Sequence, residues 1–202
     1  MDNLSDQITM MLAAQVALFV VIILAAVLYH RRQTQRHFRW MQAQAAKRGG
    51  RVKPATLFSY PEILIPDQGG EIRIHLTAGS RYSPPRTHAF FRFPIPKGYK
   101  IHVYRESVLH KAVKVLGLQD IQLGHPAFDQ EFIIQGSDPH MVRNFLTSEI
   151  QHTLLLAKDF YPSLEIKNEM KLSVPRHFKE EQEYDSFIDS AMAVLRRLSQ
   201  MA

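Results

Sequence analysis

Ten histidines and no cysteine limit the chemistry this chain can carry. His75, His88 and His102 each fall in the polar phase of a short alternating apolar run, and Arg73, Arg92, Lys100 and Tyr104 share that phase. If those runs are neighbouring strands, one sheet face carries imidazoles and cations, a set suited to an anion or a metal ion. The simpler reading is a wetted face of an antiparallel sheet, which needs no ligand. Arg73, His75, His88, Arg92, His102 and Tyr104 are therefore the candidate face for an anion or a partner.

Two further clusters invite chemistry and do not sustain it. Ser137, Asp138 and His140 stand together in Gly-Ser-Asp-Pro-His. Neighbours in a helix cap cannot orient one another as a nucleophilic triad does, and Asp138 before Pro139 reads as an N-cap with proline at the first helical position. Asp120, Asp129 and Glu131 are acidic, with Asp129 and Glu131 expected on one strand face, but a metal site needs more ligands than that. Walker, H-E-x-x-H, C-x-x-C and G-x-S-x-G patterns are absent from the sequence. No catalytic residue, metal or cofactor is expected.

The elements that hold these residues hang from Ile8–Tyr29, ITMMLAAQVALFVVIILAAVLY. This stretch has no charge, and at about 1.5 Å of rise per residue it is roughly 33 Å long, matching a hydrocarbon core of about 30 Å. The acidic leader MDNLSDQ and the arginines that follow the apolar run are unlike a cleaved signal peptide. A retained transmembrane helix is predicted.

Charge sets the orientation. Twenty-five Lys and Arg stand against 19 Asp and Glu, a net +6. Eight of the basic residues lie between His30 and Lys53, with no acidic residue among them, so the rest of the chain beyond residue 53 is neutral. The positive-inside rule places the amino terminus outside and the domain in the cytoplasm, at the inner membrane. A nucleic-acid-binding domain would carry its own basic footprint, so no nucleic acid is expected as a partner. Arg31, Arg32, Arg36, Arg39, Trp40, Lys47 and Arg48 are expected to meet anionic headgroups. The segment Arg31–Arg48 should continue the membrane helix until Gly49-Gly50 stops it.

The expected organisation is 1–7 outside, 8–29 in the membrane, 30–53 as a basic juxtamembrane helix or linker, and 54–202 as the domain. Alternation predicts strands at 62–65, 71–76, 87–93 and 100–104, joined as successive antiparallel neighbours. A short helix is predicted over 107–116, a strand over 128–135, helices over 139–146 and 149–158, a hairpin or one long bent strand over 164–174 and a last helix over 178–198. Ser148 and Gln151 are expected to form a capping box. The fold class is α+β: one N-terminal transmembrane helix, then a cytoplasmic antiparallel sheet with helices packed on one face.

The middle of the chain, Gly117-Leu118-Gln119-Asp120, then Phe128-Asp129-Gln130-Glu131-Phe132-Ile133-Ile134-Gln135-Gly136-Ser137-Asp138 and Phe145-Leu146-Thr147, resembles a group of bacterial membrane-anchored domains of unknown function. Their pattern is G-x-x-D, F-D-x-x-F-x-V-x-G-x-D and L-L-T on an α+β domain after one hydrophobic segment. The resemblance implies the architecture and a bacterial origin and carries no catalytic residue. The expected function is a single-pass protein whose cytoplasmic domain binds a protein partner, as an accessory subunit of a membrane complex. The alternative is a small tethered enzyme or binder that acts on a lipid headgroup or anionic metabolite through the His/Arg face.

Overall fold

The computed structural model describes residues 2–56, 59–67, 70–92, 99–105 and 121–200. The helix expected over 107–116, the turn at 94–98 and the Gly117–Asp120 part of the sequence pattern lie outside the described residues.

A single helix, α1 (Asp2–Lys47), runs from the apolar stretch through the basic one. No residue in Arg31–Lys47 breaks a helix, so nothing interrupts it before Gly49, which takes a left-handed φ of 65°. The N–H groups of Arg48 and Gly50 both close onto the Ala45 carbonyl, the arrangement that satisfies the orphan carbonyls of a helix end. Every residue from Met10 to Arg32 is exposed. Among the described residues α1 is the one helix long and apolar enough to cross a membrane, and none of them covers its apolar span. That supports a membrane-anchored protein.

Among the described residues the sheet has eight strands, all antiparallel: β1 (Arg51–Lys53), β2 (Glu62–Asp67), β3 (Gly70–Thr77), β4 (Arg86–Phe91), β5 (Ile101–Arg105), β6 (Phe132–Gly136), β7 (Ser163–Ile166) and β8 (Met170–Val174). Their order is β1-β2-β3-β4-β8-β7-β5-β6. The β7–β8 hairpin thus lies between β4 and β5, which the sequence had placed side by side. Helices α2 (Pro126–Glu131), α3 (Pro139–Phe145), α4 (Ser148–Leu156) and α5 (Glu181–Gln200) complete the domain, with a 3₁₀ turn at Lys158–Phe160. The α+β class and the antiparallel sheet stand as expected.

Alternation drives the apolar phase of each strand to one side. Ile63, Ile65, Ile72, Ile74, Leu76, Ala89, Phe91, Val103, Leu164, Ile166, Leu172 and Val174 are buried, joined by Phe145, Ile150, Leu154, Tyr184, Ile188 and Leu195 from the helices. Each Val, Leu, Ile or Phe side chain among them contributes about 1.5–3 kcal/mol by leaving water. Met41 and Ala45 of α1 belong to the same core, so the end of the membrane helix is built into the domain. Met41, one residue after Trp40 in the basic stretch, is therefore a core residue.

Local corrections have local causes. Of the strand expected over 128–135, residues 128–131 are helical instead, because Pro126 opens the helix and His125 Nδ1 accepts from the Phe128 N–H. Asp129 and Glu131 thereby share no strand face. Asp129 accepts from the N–H groups of Leu123 and Gly124, whereas Glu131 pairs with Arg105 at 2.9 Å and Lys158 at 3.3 Å. No capping box forms at Ser148: Thr147 is the cap, and Gln151 instead donates to the Leu146 carbonyl at 2.7 Å. The cap at Asp138 is as expected, accepting from the N–H groups of His140 and Met141.

Candidate functional site

The helices fill one face of the sheet; the other is left open by the described residues. Strand register aligns the open face in two transverse rows. One runs Glu62, His75, His88, Ser173, Ser163, Tyr104, Ile133, and the second runs Leu64, Arg73, Phe90, Lys171, Glu165, His102, Gln135. Arg92 continues the phase of Phe90 just past β4 and lies 3.8 Å from Glu169. All six candidate face residues therefore occupy one side of the sheet, in a mixed apolar, aromatic and charged surface.

Within it the histidines divide. His75 and His88 are opposite one another, rings 5.2 Å apart, and His75 stacks on Phe90 at 4.9 Å. His102 stands three strands from β4, about 14 Å away at the usual strand spacing, beside Tyr104 and 3.3 Å from the Ser163 hydroxyl. The strand order thus prevents one three-histidine site. No group of three or more metal-ligating side chains occurs among the described residues.

Burial holds the His75–His88 pair neutral. His88 is pushed down to about 4 by burial first, then by His75, Lys171 and Arg86. His75 is lowered by burial, against the opposing pull of Glu62. His88 Nε2 lies 3.3 Å from the Thr77 hydroxyl, whereas its Nδ1 is buried without a partner. A protonated ring would need an acceptor at that Nδ1, so the geometry and the depressed pKa agree.

Two shallow depressions mark this side. One is lined by Phe90, Arg92, Glu165 and Lys171, the second by Lys100, His102, Gln135 and Ser137. His75 and His88 line neither.

The fold has a counterpart among solved structures. It is similar to the mycobacterial trehalose monomycolate transport factor A, TtfA, over 81% of this chain and 94% of that one, with a TM-score of 0.54 and 10% identity. At that identity the likeness is one of fold. No protein-family model matches the chain, and no curated protein does.

The basic juxtamembrane residues also divide. Lys47 and Arg48 turn to α5: Lys47 Nζ lies 2.6 Å from Asp185, and Arg48 bridges Asp185 at 3.0 Å and Asp189 at 2.6 Å. Gln44, fully buried, accepts from Arg48 and reaches Glu181 at 3.5 Å. Arg31, Arg32 and Arg39 are exposed. Arg36 lies over Trp40, 4.6 Å from its ring centroid, and donates to the Lys179 carbonyl at 3.2 Å.

Trp40 and His37 meet residues that sequence reasoning did not single out. His37 is ringed by Trp40, Tyr60, His177 and Tyr184 at centroid distances of 5.6, 6.2, 5.5 and 6.3 Å. Burial lowers His177, whose Nε2 lies 2.9 Å from the Thr77 carbonyl, and raises Tyr184. The one signal for His177 was its place in the basic Arg176-His177 pair after a strand. Nothing in the spacing ties it to a helix 140 residues earlier.

Proposed function

We propose that this chain is a single-pass, membrane-anchored accessory module whose open sheet face docks a protein partner on the cytoplasmic side of the inner membrane. The observation that carries the reading is the asymmetry of the sheet. The strands bury one face under the chain's own helices, while the other offers Leu64, Phe90 and Tyr104 among Arg73, Lys171, Glu165 and His102. Aromatic anchors amid charges of both signs suit a protein interface. The separation of His102 from His75 and His88 favours docking over catalysis.

Anchoring gives such a module its use, since α1 fixes the face close to the bilayer and to whatever membrane complex it serves. The structural neighbour is described as a transport factor, which agrees with an accessory role. Arg31, Arg32 and Arg39, exposed just beyond the apolar span, hold the helix end against anionic headgroups. The test is mild extraction of the full-length protein from native membranes, followed by intact mass and proteomics. A stoichiometric partner, lost on Phe90→Glu with Lys171→Glu, is the expected result. A monomer across several mild detergents would refute the reading.

A further inference from the structure

We propose that the cleft between α1 and the segment joining β8 to α5 binds the phosphate of an anionic phospholipid headgroup. The inference rests on the anchoring of α1 and not on the sheet-face reading. The cleft has a volume of about 650 Å³. Arg36 and His37 line it from α1, Arg176, His177 and Lys179 from the facing segment, and Trp40 forms part of its wall. Among the described residues no carboxylate lines it.

Charge balance points to an anion. Glu183 already neutralises one cation of the cleft: one of its oxygens takes Arg176 at 2.8 Å and the other takes the backbone N–H groups of Lys179 at 2.6 Å and Glu180 at 3.2 Å. Among the described residues no carboxylate pairs with Arg36 or with the Lys179 ammonium. Arg36 nevertheless donates to the Lys179 carbonyl, so two uncompensated cations are held on adjacent walls. A phosphate between them would neutralise both and accept charge-assisted hydrogen bonds.

Position selects the source of the phosphate. Gln33, also in the lining, donates to the Tyr29 hydroxyl at 3.2 Å, and His30 touches Tyr60 of the domain, rings 5.7 Å apart. At about 1.5 Å per residue, Gln33 lies roughly 6 Å and Arg36 roughly 10 Å past Tyr29. The headgroup layer is about 5–8 Å deep on each side of the hydrocarbon. Gln33 thus lies within the headgroup layer and the Arg36 backbone just beyond it, and because helical side chains lean toward the N-terminus the cleft opens against the layer that holds the lipid phosphates.

The single tryptophan of the chain, Trp40, reports on the cleft directly. The full-length protein would be placed in phosphatidylcholine nanodiscs with increasing phosphatidylglycerol, and Trp40 emission followed. A saturable change is expected, weakened roughly tenfold or more by Arg36→Gln with Lys179→Gln, since each basic residue near anionic lipid gains about 1 kcal/mol. Arg51→Gln with Lys53→Gln removes the same charge at exposed side chains outside the cleft and should leave the midpoint in place. If the cleft pair fails to fold by circular dichroism, Lys179→Gln alone carries the comparison. An absent response, an equal weakening by both pairs, or a response to soluble glycerol phosphate but not to phosphatidylglycerol would overturn the proposal. A chain that does not enter nanodiscs refutes the anchor instead; one that enters and does not respond refutes only the cleft.

Discussion

The Tyr184 hydroxyl lies 3.0 Å from His37 Nδ1, tying the membrane helix to the last helix across 147 positions of sequence. Both residues are buried. With the Arg48 bridge to Asp185 and Asp189 one face further along, this contact makes α1 and α5 a single unit, so the domain's position relative to the helix is fixed rather than tethered.

Tyr184→Phe removes the hydroxyl and leaves His37 Nδ1 without its partner, and should cost about 1–2 kcal/mol in thermal or denaturant unfolding of the full chain. Arg48→Met should cost about 1–3 kcal/mol, since its side chain is only 12% exposed and serves two carboxylates. Lys47→Met, at a side chain 54% exposed, should change stability by less than about 1 kcal/mol. Equal losses at 47 and 48 would refute the assignment of the docking to Arg48.

The glycine of the F-D-x-x-F-x-V-x-G-x-D pattern has a structural reason. A Cβ on Gly136 would run into Val142 of α3 and come within 3.1 Å of the Lys100 carbonyl. Gly136→Ala is expected to destabilise by about 1–3 kcal/mol through overpacking. Circular dichroism melting checks it, and a neutral substitution would mean that β6 and α3 are less closely apposed.

Acid should weaken the fold. Folded His88 titrates near 4, below its ordinary 6.5, so between those values the unfolded chain binds the extra proton and stability falls as pH falls. His75 and His177 are lowered in the same direction. Denaturant midpoints should decline from pH 7 toward 5, by no more than about 1.4 kcal/mol per pH unit for each histidine. His88→Gln should flatten the slope; an unchanged slope would contradict the buried neutral imidazole.

The absence of cysteine makes orientation directly measurable. Asn3→Cys should react with a membrane-impermeant maleimide on intact cells, whereas Ser80→Cys should react only after lysis. The reverse pattern would overturn the cytoplasmic placement.

Much of this architecture is legible in local sequence. Ile72, Ile74 and Leu76 against Arg73 and His75 give β3 and its two faces, and Gly49 marks the end of α1. Strand order is not local: the β7–β8 hairpin enters between β4 and β5 through pairings such as His88 with Ser173 and Tyr104 with Ser163. Phase alone therefore placed His75, His88 and His102 on one face and could not show that His102 stands apart. The three-residue β1 has no alternation long enough to read, and the strand expected at 128–131 overlooked Pro126 as a helix opener. The cleft was invisible for the same reason as the strand order, since Arg36 and Lys179 meet only through the tertiary fold.

The central claim is that the open sheet face is where a partner sits. A photo-crosslinking residue placed at Phe90 of the full-length protein in native membranes tests it most directly, with one at the exposed Glu149 of α4 as the comparison. The account predicts a discrete adduct from position 90, competed away when the partner is depleted, and none from position 149. Adducts from 149 alone, or from neither position, would contradict it.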